Sequence, residues 1–304
     1  MRLTRRPDVL VLGGGGVLGE AWLRACLAGV EAESGWDLRE CDAFVGTSAG
    51  SIVAAVLAAG RRPAAASGVT DAWERAEPRN GSDRVARLVR LGRRAALSAA
   101  APLAPAVAAG LEPGGAALRA AVLRRGQRAT REIPELREAL ERMDVAFDGR
   151  LRVAAVDLAT GRRVMFGAPG APEAGVSEAV LASCAVPWVF RPIAIGGREY
   201  VDGGVWSAAN LDAAPVRAGA EVLCLVPTAT PRLGIDPLGA IRAFASTTTA
   251  AESLLLRRRG ARVRIAAPDA ATVRAIGPDL FAAGRRAQVE AAGYAQGRAL
   301  ASPA

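Results

Sequence analysis

Gly46-Thr47-Ser48-Ala49-Gly50 sets a serine among small residues, after the short apolar run Cys41–Val45 and before an Ala/Val-rich stretch from Ser51 to about Ala59. At such a strand-to-helix junction, Gly46 and Gly50 allow a sharp, strained turn that exposes the serine Oγ at the strand end. The following helix aims its N-terminal amides, that of Ala49 among them, at the reacting oxygen. Ser48 is therefore a candidate nucleophile. The plainer alternative is a glycine-rich turn whose serine caps the helix.

A nucleophilic serine needs a base, and the chain contains no His. That excludes a Ser-His-Asp triad, a Cys-His dyad and His-ligated zinc. The base must be Asp, Glu or water, presented by a rigid turn with open space around it. Tyr200-Val201-Asp202-Gly203-Gly204 offers a carboxylate at the end of a short strand, followed by two glycines. Seen alone it is also an ordinary Asp-Gly turn. Asp157, inside Val153–Leu158, is the other candidate; it lacks the glycines and is expected to bond to neighbouring backbone.

A second glycine turn, Gly13-Gly14-Gly15-Gly16-Val17-Leu18-Gly19, follows the apolar run Val9–Leu12. Consecutive amides at a helix start can face an anion without side-chain obstruction, as a phosphate site or an oxyanion hole requires. Gly14, Gly16 and Gly19 also satisfy G-x-G-x-x-G, the dinucleotide fingerprint. That reading needs an acidic residue closing the second strand. Asp42 opens that strand, and Val45-Gly46-Thr47-Ser48 closes it, so the required carboxylate is missing and the dinucleotide reading is the weaker one.

Together, Gly14-Gly15-Gly16-Val17-Leu18-Gly19, Gly46-Thr47-Ser48-Ala49-Gly50 and Asp202-Gly203-Gly204 resemble the patatin-like phospholipases, which carry G-G-G-x-[RK]-G, G-x-S-x-G and D-G-[GA] in this order. Ala182-Ser183-Cys184-Ala185-Val186-Pro187 is similar to that family's A-S-x-A-x-P stretch, and the resemblance spans roughly Val9–Asn210. It implies a three-layer α/β/α fold with a mainly parallel central sheet, related to α/β-hydrolases, and hydrolysis of acyl esters in lipids. It also implies Ser48 as nucleophile, Asp202 as base and the Gly14, Gly15 and Gly16 amides as oxyanion hole. Leu18 departs from the pattern, standing where the family often has Arg or Lys; Arg24 is a possible substitute. A thioesterase or acyltransferase with the same dyad, or a non-catalytic lipid- or nucleotide-binding protein, are the competing readings.

The elements that must position these groups read as strand, glycine turn, helix, twice over from Val9 to about Ala59, a β-α-β-α unit that implies parallel strands. Leu151–Leu158 with Arg163–Phe166, and Ile193–Ile195 with Glu199–Val201, read as antiparallel pairs around Thr160-Gly161 and Gly196-Gly197. Glu221–Val226 and Val263–Ala266 read as strands. Helices are expected at Glu20–Ser34, Val176–Cys184, Ile235–Arg259 and Asp279–Leu300. Residues 61–143 read as short helices, with Ala95–Gly115 as a lid or cap candidate. With 304 residues, 51% of them hydrophobic, the chain can fill one large α/β domain, residues 1–304.

Every basic residue is Arg, and the formal net charge is +9. Clusters at Arg84–Arg94, Arg119–Arg128 and Arg257–Arg264 could contact an anionic membrane surface, or be solvated helix faces. They match no nucleic-acid motif, so no nucleic acid is expected as a partner. The substrate expected is a lipid or other acyl ester. Cys26, Cys41, Cys184 and Cys224 lie far apart without a C-x-x-C pair and read as buried apolar residues in a reducing compartment. No metal and no cofactor are expected. The apolar run after Met1 is too short for a signal sequence, and Pro102 and Pro105 interrupt the longest weakly polar stretch, so a cytoplasmic location is the default.

Overall fold

The first strand, β1 (Val9–Leu12), is completely buried, and its side chains divide by the period of two that a pleated strand imposes. Leu10 and Leu12 join one apolar cluster, Val9 and Val11 another. β2 (Ala43–Thr47) and β7 (Glu221–Leu225) divide the same way: Phe44, Leu223 and Leu225 on the first side, Ala43, Val45, Val222 and Cys224 on the second. A sheet apolar on both faces must be covered on both. This is the α/β/α layering expected from the sequence.

The computed structural model describes residues 3–66, 112–126, 131–229 and 237–302. The helices are α1 (Gly16–Ser34), α2 (Ala49–Ala58), α3 (Glu112–Gly126), α4 (Pro134–Glu141), α5 (Val176–Cys184), α6 (Pro237–Arg258), α7 (Ala270–Ile276) and α8 (Arg286–Ala301). The remaining strands are β3 (Leu151–Asp157), β4 (Arg163–Phe166), β5 (Ile193–Ile195), β6 (Arg198–Asp202) and β8 (Arg262–Ala266). The sheet runs β5-β6-β3-β2-β1-β7-β8, with β4 paired to β3. The β3-β2-β1-β7-β8 stretch is parallel; β4, β5 and β6 pair antiparallel. Helices α1, α2, α4, α5 and α8 bury residues with the first face, and α6 buries Ala245 and Leu256 on the second.

One feature of β3 positions the site. β4 pairs with Val153–Val156. β2 pairs with Leu151–Ala154 and β6 with Ala155–Asp157. Each shares residues with β4, so both lie along the other edge of β3, end to end. Because β2 runs parallel to β3 and β6 antiparallel, their C-terminal ends meet there, Thr47 opposite Ala154 and Asp202 opposite Ala155.

Some boundaries differ from the sequence reading. α1 starts at Gly16, a turn before the expected Glu20, because the glycine loop passes directly into the helix. The C-terminal helix starts at Arg286 and not at Asp279. Residues 277–282 form a turn instead, followed by a short 3-10 helix at Ala283–Arg285; Gly277 opens the turn at φ +68, and Leu280 O accepts the Leu18 amide at 2.9 Å. The short helix α7 before it was not expected, although Asp269 caps it by accepting from Thr272 N at 2.8 Å. Most of the lid candidate, and the Arg84–Arg94 cluster, lie outside the described residues.

Of the other Arg clusters, Arg119 is buried, donating to Gly161 O at 2.7 Å and standing 4.5 Å over the Trp206 ring. Arg257 donates to Val263 O and Arg262 to Glu221. These side chains tie the fold together internally. The four cysteines are buried free thiols. Among the described residues, no helix is long and apolar enough to cross a membrane.

Candidate active site

Ser48 is the single residue between β2 and α2, at φ +51 and ψ −123, a conformation that costs an ordinary residue about 1–3 kcal/mol. Its surroundings over-determine it. The Ser48 amide donates to Ser183 Oγ at 2.8 Å, and its carbonyl accepts from Ser51 Oγ at 2.6 Å and Ser51 N at 2.8 Å. The flanking glycines are required by close approach: a Cβ on Gly46 would lie 2.4 Å from Ser51 Cα, and one on Gly50 2.0 Å from Leu12 O. The serine is 7% exposed.

Asp202 ends β6 and is 5% exposed. Its amide donates to Ala185 O at 3.0 Å, and its Oδ1 accepts from Gly204 N at 2.7 Å. The Ser48 side chain acts on the same carboxylate and favours its charged form. Burial pushes the carboxyl up to about 6, against the opposing effect of the Ser48 side chain and the Gly204 amide. Gly203 packs directly on β3, where a Cβ would meet Ala154 O at 2.4 Å. The nearby Cys184 thiol is held well above its ordinary value by burial and by the Asp202 charge, so it stays protonated.

The first glycine turn completes the site, with one correction. Gly13 N donates to Leu225 O and Gly14 N to Ala208 O, both at 2.9 Å. The Gly14 amide is thus engaged and is not available to an oxyanion. What Gly14 provides is proximity: a Cβ there would lie 3.3 Å from Ser48 Cβ. Among the described residues, the amides of Gly15, Gly16 and Ala49 have no acceptor. Gly15 lies against Pro227, and Gly16, at φ +61, under the Phe281 ring; a Cβ on either would collide. Gly19 also abuts Pro227, its missing Cβ 3.0 Å from the ring.

The other candidates are placed elsewhere. Asp157 Oδ1 accepts from Thr160 N at 2.8 Å and Thr160 Oγ1 at 2.9 Å, and its Oδ2 pairs with Arg198 at 2.7 Å. It closes the β3–β4 turn, as its sequence context suggested. Leu18 is fully buried in the core. Arg24 does not replace the family's cation, because its guanidinium is held by Glu290 and lies 3.5 Å from Glu20. Asp42 pairs with Arg217 at 3.0 Å at the opposite end of β2 from Ser48.

Several supporting groups were not assigned a role from the sequence. Ser183 lies within the A-S-x-A-x-P stretch, yet nothing local says that it accepts the Ser48 amide. Asn210, at φ +53, donates from Nδ2 to Thr47 Oγ1 at 3.0 Å and to Ser207 O at 2.8 Å. Leu280 and Phe281 reach the glycine turn from far along the chain.

These features define an α/β protein with a serine elbow, a buried carboxylate and a glycine loop at one end of a largely parallel sheet. The family model for patatin-like phospholipases matches residues 10–215, and the chain belongs to that family, whose members are generally hydrolases of lipid esters. No curated protein matched the chain. Among solved structures, VipD from Legionella pneumophila is similar at a TM-score of 0.47 and 14% identity, over 97% of this chain and 67% of VipD.

Proposed function

We propose that this protein is a serine acyl hydrolase acting on lipid esters through a Ser48–Asp202 dyad and an acyl-enzyme. The observation that carries the reading is that Ser48 and Asp202, both buried, stand where the ends of β2 and β6 abut on β3, with burial raising the carboxylate's affinity for protons.

In the first step Ser48 Oγ attacks the ester carbonyl carbon while Asp202 takes its proton. The carbonyl oxygen, now anionic, accepts from the Gly15, Gly16 and Ala49 amides. The intermediate collapses, breaking the bond to the alcohol, which leaves with the proton held by Asp202. Water then attacks the acyl-serine, Asp202 accepts its proton, and collapse returns that proton to Ser48 as the fatty acid departs. An ordinary Asp, near 3.9, is a weak base for an alcohol. The rise to about 6 makes it a stronger base. Each oxyanion amide contributes about 2.7–4 kcal/mol. Preformed donors and a buried carboxylate thus replace the missing imidazole.

The test is turnover of a short p-nitrophenyl ester, with phospholipid and acyl-CoA substrates alongside to distinguish ester from thioester hydrolysis. Ser48→Ala is expected to abolish hydrolysis and fluorophosphonate labelling with the melting temperature preserved. Retained turnover in a folded Ser48→Ala protein overturns the assignment.

A further inference from the structure

Asn210 bonds to a chain neighbour of each half of the dyad. It is fully buried and held in the left-handed region at φ +53 and ψ +39. Its Nδ2 donates to Thr47 Oγ1 at 3.0 Å, to Ser207 O at 2.8 Å and, at a longer 3.4 Å, to Gly203 O. Thr47 is the residue before Ser48, and Gly203 the residue after Asp202. One amide group therefore bridges the two turns that carry the reacting side chains.

The orientation of that amide is chemically determined. Arg163 Nη1 donates to Asn210 Oδ1 at 3.2 Å, and a guanidinium has donors only, so the oxygen must face it and the nitrogen must face Thr47 and Gly203. Arg163 is itself fixed by two bonds to Asp212, at 2.6 and 2.8 Å, and by the Trp206 ring, 5.4 Å away. Thr47 Oγ1 donates to Ala209 O at 3.3 Å, which turns its lone pairs to the Asn210 nitrogen. Glu252 Oε2 accepts the Leu211 amide at 2.9 Å and anchors the next residue along the chain.

We propose that Asn210 is a positioning residue that sets the distance between Ser48 and Asp202 by cross-bracing Thr47 and Gly203. The proposal rests on the Ser48–Asp202 reading of the site. A misplacement of about 1 Å at a reacting group costs about 10²-fold in rate, so loss of the brace acts on kcat and leaves substrate binding in place.

Asn210→Gly removes the amide while keeping a residue at ease at positive φ, and Thr47→Val removes the accepting hydroxyl without changing shape. With p-nitrophenyl butyrate, Asn210→Gly is expected to lower kcat by about 10- to 100-fold with KM little changed. Thr47→Val should give a smaller fall of the same kind. The double variant should be no slower than Asn210→Gly alone, because both changes break one bridge. Wild-type kcat in folded Asn210→Gly, or losses that multiply in the double variant, overturn the proposal. If Asn210→Gly does not fold, Thr47→Val decides alone: a lower kcat at unchanged KM supports the brace, and a wild-type kcat overturns it. Ser48→Ala measured in parallel separates the two claims, since activity there sinks the dyad itself, whereas a dead Ser48→Ala beside fully active brace variants sinks only the brace.

Discussion

Ser48 and Asp202 stand at the abutting ends of β2 and β6, only 7% and 5% exposed. Burial lifts the carboxyl from 3.8 to about 6, and the protonated acid cannot take the serine proton. The kcat/KM profile should therefore fall on the acid side with a midpoint near pH 6 and level off above it. A rate unchanged between pH 7 and pH 5 contradicts the role of Asp202.

Asp202→Asn should abolish turnover and stabilise the fold at neutral pH. The native carboxyl is raised above its unfolded value, so its favourable contribution is complete below about pH 3.9 and lost as pH rises through about 6. At pH 7 a desolvated charge remains, costing about 1–3 kcal/mol that the neutral amide avoids. Chemical denaturation should show the variant gaining at pH 7 and not at pH 4. Equal stability of the two proteins at both pH values counts against this account.

The glycines of the elbow differ from those in open turns. Gly50→Ala would force a Cβ to within 2.0 Å of the Leu12 carbonyl, backbone against backbone, and should destabilise by about 3 kcal/mol or more. Gly35→Ala has open space and suffers only from its φ of +70, a cost of about 1–2 kcal/mol. Gly14→Ala, with its Cβ 3.3 Å from Ser48 Cβ, should fold normally and turn over slowly. Denaturation midpoints and kcat measured on the three proteins check this ordering.

Ser183→Ala removes the acceptor of the Ser48 amide and leaves a buried N–H unsatisfied, at about 1–3 kcal/mol. Because that bond helps to hold the strained Ser48 backbone, kcat and the rate of fluorophosphonate labelling should fall along with stability. Labelling at the wild-type rate shows that the elbow does not depend on Ser183.

Local order alone determined much of this protein. The apolar runs at Val9–Leu12 and Glu221–Leu225, the glycine turns and the Ser48 elbow follow from short-range sterics. So does the β5–β6 hairpin, where Gly196 and Gly197 take φ +56 and +76. The absence of His by itself narrows the base to a carboxylate or water. Only the tertiary structure decided which groups meet. That β2 and β6 abut along one edge of β3, that Ala208 captures the Gly14 amide, that Arg163 orients Asn210 and that residues 277–282 leave the helical path to cover the glycine loop are all long-range pairings. Propensity and periodicity carry information over a few residues. Which distant backbone group satisfies an amide is settled by how the whole sheet and its helices pack.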